Sequence, residues 1–213
     1  MHLGILRVGL SGILIFPAVS WAQSAGATRV DLPYSTTITV PWTWRSSTPQ
    51  VETALRARKQ VLKGLNLVPD EEGNWLLVAA PFAEDGEEAS VGLTIVPSRL
   101  GQADINSLSQ AEINDADADY FRPEAERAAA NNGLTITTWE GTKRTTLGGR
   151  HALVTRYTFT RPDGPPLRKT TYAVYLGPRA IFIHTFTSTS PATERSAAVA
   201  SILASLSIGV DSL

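Results

Sequence analysis

The chain has 213 residues, of which 43% are hydrophobic, and its 19 Lys and Arg residues nearly balance 20 Asp and Glu residues. This composition is typical of a globular protein, and the near-neutral charge argues against a nucleic-acid-binding domain, which is usually strongly basic. The absence of cysteine excludes disulfides, thiolate metal sites, a cysteine nucleophile and lipid attachment through cysteine.

The first 22 residues have the three regions of a secretory signal peptide. Arg7 supplies the positive charge, residues 8–19 form a mostly apolar run, and Ser20 and Ala22 place small residues around Trp21. The run is shorter than the ~20 apolar residues that span a bilayer. We therefore expect cleavage after Ala22, export to the periplasm or the extracellular medium, and a mature chain that does not span the membrane.

Residues 23–33 lack a periodic pattern and are expected to form a flexible N-terminal lead, followed by a single domain over 34–213. Four apolar residues of one parity come next: Ile38, Val40, Trp42 and Trp44. This alternation predicts a strand with one buried face, and Pro41 indicates that the strand lies at an edge or stops there. Both tryptophans are expected in the core.

A helix and a hairpin are predicted next. Thr48 and Pro49 have the pattern of a helix start, and apolar residues at helical spacing continue to Gly64. An apolar run over 75–82, a polar turn at 84–88 and an alternating segment over 90–95 then predict two antiparallel strands.

The second half of the chain begins with helices and continues as a meander. Residues 104–132 are rich in alanine and acid and predict helices, with Pro123 interrupting the first or opening the second. Four strands follow, over 134–147, 151–161, 167–176 and 180–188, with a bulge predicted at Gly141. Short turns between them require antiparallel pairing. A last amphipathic helix is expected to end at Gly209.

The fourth strand of this meander indicates how the layers are arranged. Ile181 and Ile183 alternate with Phe182 and Phe186, so both faces are apolar, as in a central strand covered on both sides. We therefore predict the α+β class: an α/β/α sandwich with a central antiparallel sheet of about six or seven strands and helices on both faces.

The sequence supplies few candidates for chemistry. His184 shares a parity with two phenylalanines and is expected to be a core histidine hydrogen-bonded to a neighbour, whereas His151 begins a strand and should be partly exposed. Neither histidine has a metal-binding or catalytic spacing. Serine hydrolase and nucleotide-binding motifs are absent from the sequence. We assign no catalytic residue, cofactor or metal site.

One acidic cluster resembles a calcium-binding loop. Positions 1, 3, 5 and 12 of such a loop are occupied by Asp115, Asp117, Asp119 and Glu126. Position 6, which requires glycine, is Tyr120, and position 8, usually apolar, is Arg122. The cluster is therefore interpreted as a solvated acidic stretch at a helix junction.

Charge is segregated along the chain. Residues 70–126 contain 14 acidic and two basic residues, whereas residues 140–179 contain eight basic and two acidic residues. The two regions either neutralise each other within the protein or steer a charged protein partner. The candidate partner-binding residues are Lys143, Arg144, Arg150, Arg168 and Lys169.

The element order, with Val40-Pro41-Trp42-Thr43-Trp44 closing the first strand, resembles the PsbP-like fold family and the DcrB-like bacterial envelope proteins. The likeness covers most of residues 30–208 and includes the turn at 148–150 and the ending Leu203-Ala204-Ser205-Leu206 of the last helix. It implies an α/β/α sandwich and roles in binding or assembly rather than catalysis, as in photosystem subunits, envelope lipoproteins and a nuclear import factor. Without cysteine this chain departs from the lipoprotein members.

We therefore predict an exported soluble binding or accessory protein of the bacterial envelope, non-catalytic and acting through protein–protein contacts. Two alternatives stay open. One is a periplasmic hydrolase that uses carboxylates or His151, which a deep pocket with two convergent titratable groups would favour. The other is a carrier of a small apolar ligand between sheet and helices, which a cavity of several hundred Å³ would favour.

Overall fold

A computed structural model describes residues 23–24, 26–47, 75–81, 89–162, 164–189 and 194–209. Three predictions lie outside these residues: the signal peptide over 1–22, the helix over 49–64 and the turn at 84–88. They remain predictions. Among the described residues, no helix is both long enough and apolar enough to cross a membrane.

Two β-sheets and four α-helices account for most of the described chain. In chain order the strands are β1 (Gln23–Ser24), β2 (Ala27–Leu32), β3 (Thr36–Pro41), β4 (Trp44–Ser47), β5 (Trp75–Pro81), β6 (Ala89–Pro97), β7 (Thr135–Leu147), β8 (Arg150–Thr160), β9 (Leu167–Tyr175), β10 (Arg179–Ser188) and β11 (Ser207–Ile208). The helices are α1 (Gln102–Ser107), α2 (Gln110–Ala116), α3 (Arg122–Asn131) and α4 (Glu194–Ala204), with a π-helical turn, Asp117–Phe121, joining α2 to α3.

The larger sheet is antiparallel and has seven strands in the order β4-β5-β6-β10-β9-β8-β7. The four predicted meander strands are confirmed as β7 to β10, and the predicted hairpin as β5 and β6. The register of β7 against β8 shifts beside Gly141, where the sequence predicts a bulge. β10 lies between β6 and β9, which confirms it as a central strand.

Each face of this sheet carries its own hydrophobic cluster. On the first face, Phe182 and Phe186 pack with apolar residues of α1, α2 and α3. On the second face, Ile181 and Ile183 pack with residues of α4 and of the smaller, four-stranded sheet β1-β2-β3-β11. The α+β class and the helices on both faces are therefore confirmed, and the smaller sheet is a layer that the sequence analysis does not predict.

The predicted flexible lead over 23–33 is wrong in its described part, because β1 and β2 form a hairpin there. β2 pairs along its length with β3, and Val30 and Leu32 of β2 are buried. Two buried residues in a six-residue strand give too short an alternation to stand out in the sequence. The folded part of the described chain therefore begins before residue 34.

The two tryptophans predicted in the core have different environments. Trp44 is 6% exposed, as expected, but Trp42 is 70% exposed, so the prediction for Trp42 is wrong. Since β3 ends at Pro41, the chain turns at Trp42 and enters the larger sheet at Trp44. The alternation of residues 38–44 therefore spans two strands of different sheets.

The end of the last helix also differs from its prediction. Val199 and Ile202 are buried, as expected, but α4 ends at Ala204 rather than at Gly209. Ser207 and Ile208 form β11 and pair with Thr37 and Thr36 of β3. This pairing joins residues about 170 positions apart, which local periodicity does not reveal.

Candidate ligand-binding pocket

A row of side chains crosses the face of the larger sheet that α1, α2 and α3 cover, which we call the helix-covered face. Lys169 of β9 pairs in register with Tyr157 of β8 on one side and with Phe186 of β10 on the other. Because residues in register point to the same face, these three side chains are neighbours. The row continues to Trp139 of β7, whose ring stacks on that of Tyr157 with 5.3 Å between the ring centroids.

Tyr157, Lys169 and Phe186 of this row form the floor of a pocket with a volume of about 630 Å³, and Trp139 lies beside it. The end of α3 and the turn between β8 and β9 form its walls. The described lining residues are Ala128, Ala129, Asn132, Gly133, Leu134, Tyr157, Phe159, Arg161, Pro162, Gly164, Pro165, Lys169 and Phe186. The volume lies within the range of pockets that hold small organic ligands.

Lys169 places an ammonium group beside two aromatic rings of the pocket floor. Its Nζ lies 5.7 Å from the ring centroid of Tyr157 and 5.4 Å from that of Phe186, so both rings provide cation–π contacts. Burial disfavours the charged form and lowers the pKa of Lys169 to about 8. Within the described residues, Lys169 forms no salt bridge that would offset this effect.

The floor of the pocket is held to the helical layer through Trp139. Its indole Nε1 donates a hydrogen bond to Oδ2 of Asp117, 2.7 Å away in the π-helical turn. The Thr142 hydroxyl donates to the other carboxylate oxygen of Asp117. Asp117 thereby fixes the position of Trp139, on which Tyr157 stacks. Burial raises the pKa of Tyr157 to about 12, so this phenol stays protonated at physiological pH.

A second row, next to the pocket, is polar. His184 lies between two threonines: its Nδ1 is 3.1 Å from Oγ1 of Thr171, and its Nε2 is 3.4 Å from Oγ1 of Thr94. Burial, together with the nearby positive charge of Lys169, lowers the pKa of His184 to about 3. The prediction that His184 is hydrogen-bonded to a neighbour is confirmed, the side chain is partly rather than fully buried, and the imidazole is neutral at physiological pH.

The five candidate partner-binding residues are divided between the two faces of the sheet. Lys169 and Arg144 lie on the helix-covered face, where Nη1 of Arg144 donates to the carbonyl oxygen of Asn106 at 2.6 Å. Lys143, Arg150 and Arg168 lie on the opposite face. Two of these make contacts within the protein: Nε of Arg150 donates to the carbonyl oxygen of Ile208 at 3.2 Å, and Nε of Arg168 lies 3.2 Å from Oε1 of Glu140.

The acidic cluster and His151 make contacts within the protein. The acidic cluster lies in α2, the π-helical turn and α3 rather than in a loop, and Asp117 is engaged by Trp139 and Thr142. No group of potential metal ligands occurs among the described residues. His151 is exposed, as predicted, and its backbone N–H donates to Oε1 of Gln102 in α1 at 2.7 Å.

Its charge makes Lys169 a candidate from the sequence, but the aromatic residues that surround it are not predicted. Tyr157, Phe159 and Phe186 have the parity of core residues, and their role in the pocket follows only from the register of β8, β9 and β10. One available signal is the parity of Lys169 itself. Arg168 and Lys169 are adjacent, so they must point to opposite faces of the sheet, and only one of them can lie beneath the helices.

Comparisons with known proteins identify the fold. No protein-family model matches the chain, and no curated protein matches its sequence. Among solved structures, the chain is similar to cyanobacterial PsbP from Synechocystis sp. PCC 6803, with a TM-score of 0.52 and 10% identity over 92% of this chain and 95% of that chain.

Two other solved structures have lower scores. A protein from Bacteroides thetaiotaomicron VPI-5482 has a TM-score of 0.46 and 8% identity, over 89% of this chain and 51% of that chain. LpqN, involved in cell envelope biogenesis of Mycobacterium tuberculosis, has a TM-score of 0.42 and 13% identity, over 82% of this chain and 84% of that chain. The similarity to cyanobacterial PsbP, together with the seven-stranded sheet between helical layers, shows that this chain has a PsbP-like fold.

Proposed function

We propose that the protein is an exported accessory protein of the bacterial envelope that acts by binding and catalyses no reaction. The signal-peptide pattern of residues 1–22 supports export to the periplasm or the medium. The described lining of the pocket contains no carboxylate, histidine or serine that would form a nucleophile–base pair, which favours binding over hydrolysis.

The observation that carries this proposal is the pocket of about 630 Å³ between the sheet and α3. Its floor is formed by aromatic rings that pack on one another: Phe159 and Phe186 meet edge to face, with 6.1 Å between centroids. Aromatic floors of this kind bind the apolar part of a ligand. Binding of a small, largely apolar ligand is therefore the function that the geometry favours.

A pair of variants on α3 tests this proposal. Ala128 is exposed and lines the pocket, so Ala128→Phe should fill the pocket without removing a core contact. Ala130 is exposed on the same helix but does not line the pocket, so Ala130→Phe is the matched control. The probe is N-phenyl-1-naphthylamine, a neutral aromatic dye whose emission rises in apolar sites.

We expect the wild type and Ala130→Phe to bind the dye and Ala128→Phe to lose most of this binding, with unchanged circular dichroism in all three proteins. If the wild type does not bind the dye, or if both variants bind it equally, the pocket is not a binding site of this kind. Export is tested separately by N-terminal sequencing of the protein from a periplasmic extract, which should begin at Gln23.

Contact with a protein partner is a second candidate function, and it is supported by basic residues of the meander. Lys143, Arg156 and Arg168 occupy diagonal positions on β7, β8 and β9, on the face opposite α1, α2 and α3. Lys143 and Arg168 are exposed. A salt-sensitive partner from an envelope extract should be lost in Lys143→Glu and retained in Arg127→Glu, a change on the exposed surface of α3. Equal recovery by both variants would argue against this surface.

A further inference from the structure

The chemistry of the pocket indicates which class of ligand it binds, an inference that rests on the proposed function. We infer that the pocket selects organic anions, in which an apolar body lies against Tyr157 and Phe186 and an acidic oxygen group accepts a hydrogen bond from Nζ of Lys169. Carboxylates, sulfonates and phosphate esters share this chemistry.

Lys169 is a cation without an acidic partner among the described residues. Its ammonium group contacts two aromatic rings, at 5.7 and 5.4 Å from the centroids, and has no carboxylate partner within the described residues. A partly buried cation without a counter-ion carries a desolvation cost that an anion would offset. The hydrogen bond to a charged group is also stronger than one between neutral groups.

The ionisable groups around Lys169 favour an anionic ligand. The ionisable groups nearest to Lys169 on the sheet are Tyr157 and His184, and both are neutral at physiological pH. Arg161 also lines the pocket, in the turn between β8 and β9. No described lining residue is acidic. The described part of the lining therefore offers the positive charge of Lys169, with no acidic side chain among its described residues, to an anion.

The acidic residues of α3 do not neutralise the charge of Lys169. In α3, Glu126 pairs with Arg122 at 2.8 Å and Glu124 pairs with Arg127 at 2.6 Å, and all four side chains are largely exposed. These ion pairs neutralise each other on the solvent side of the helix. They leave Lys169 as the group that meets the anion.

The test compares two dyes with the same aromatic skeleton. One is 8-anilino-1-naphthalenesulfonate, which carries a sulfonate, and the other is N-phenyl-1-naphthylamine, which lacks it. Lys169→Met keeps an unbranched side chain and removes the charge, and Lys143→Met is the matched control on exposed β7. Loss of one charged hydrogen bond corresponds to a roughly tenfold or larger change in affinity. We expect Lys169→Met to weaken binding of the sulfonate dye about tenfold or more and binding of the neutral dye less than twofold.

The pH dependence gives a second readout. A bound anion requires the protonated lysine, and the pKa of Lys169 is lowered to about 8, so affinity for the sulfonate dye should fall between pH 7 and pH 9.5 in the wild type. In Lys169→Arg, whose guanidinium stays charged, this fall should disappear. The neutral dye should show no such fall in either protein.

The outcomes separate this inference from the proposed function. If both dyes bind equally well and respond equally to Lys169→Met, the pocket binds apolar ligands but does not select anions, and this inference is wrong. If neither dye binds the wild type, both the inference and the proposed function are wrong. If Ala128→Phe leaves binding of the sulfonate dye intact, the dye binds elsewhere and the inference also fails.

Discussion

Replacement of Lys169 by methionine should increase the free energy of unfolding at neutral pH. Methionine keeps contact with Tyr157 and Phe186 and removes an ammonium group that burial disfavours. Lowering of the pKa from 10.5 to about 8 corresponds to a cost of about 3 kcal/mol, at about 1.4 kcal/mol for each tenfold change in proton affinity. Each of the two cation–π contacts offsets roughly 0.5–1 kcal/mol of this burial cost. We therefore expect a net gain of about 1–2 kcal/mol at pH 7.

The sign of the pH dependence follows from the lowered pKa. Below pH 8 the folded and unfolded chains both carry the proton on Lys169, and the folded wild type bears the full cost. Between pH 8 and 10.5 the unfolded chain binds a proton that the folded chain has lost, so the stability of the wild type rises with pH. The advantage of Lys169→Met should therefore shrink over this range.

Urea unfolding at pH 7, 9 and 10.5, followed by tryptophan fluorescence, measures this difference. Lys143→Met, at an exposed position on β7, should change stability by less than about 0.5 kcal/mol. The reasoning would be refuted if Lys169→Met were no more stable than the wild type at pH 7, or if its advantage were the same at pH 10.5.

Two further predictions concern His184 and the turn between β7 and β8. The pKa of His184 is lowered from 6.5 to about 3, so the unfolded chain alone gains a proton below pH 6.5, and stability should fall by about 2 kcal/mol between pH 7 and pH 5. In urea unfolding, His184→Asn should abolish this fall in stability between pH 7 and pH 5, and His151→Asn should retain it. Gly148 and Gly149 both have positive φ, 58° and 77°, but only a Cβ at Gly148 would meet other atoms, 3.1 Å from Cγ1 of Ile208. Gly148→Ala should therefore cost about 2 kcal/mol and Gly149→Ala about 1 kcal/mol, since both carry backbone strain and only the first adds crowding. Equal losses in thermal unfolding would show that crowding against Ile208 does not add to the cost at position 148.

Local patterns were sufficient to predict the meander. β10 has apolar residues on both faces, and short turns fix the pairing of β7 to β10, so their order follows from the sequence. The smaller sheet is different. β11 has two residues, and β2 shows only Val30 and Leu32 as alternating buried positions. β2 pairs with the next strand, β3, but its alternation is too short to stand out, whereas β11 forms because β3, about 170 residues away, supplies its hydrogen bonds.

The candidate pocket was partly accessible to prediction. The charge segregation makes Lys169 a candidate residue. The cavity of several hundred Å³ that would favour a ligand carrier agrees with the pocket volume of about 630 Å³. The pocket depends, however, on the registers that bring Tyr157 and Phe186 to either side of Lys169. A shift of one residue in either register would turn a side chain to the opposite face. Registers between strands are set by the whole sheet, so the sequence does not reveal which residues meet.

The pairing of β11 with β3 has a consequence for the order of folding and for self-association. β3 receives β2 on one side early in synthesis, but Thr36 and Thr37 on its other edge stay unpaired until Ser207 and Ile208 have been made. An open strand edge is a template for pairing with a second chain. A version of the protein cut before Ser207 should therefore aggregate during refolding, even though its larger sheet retains all seven strands.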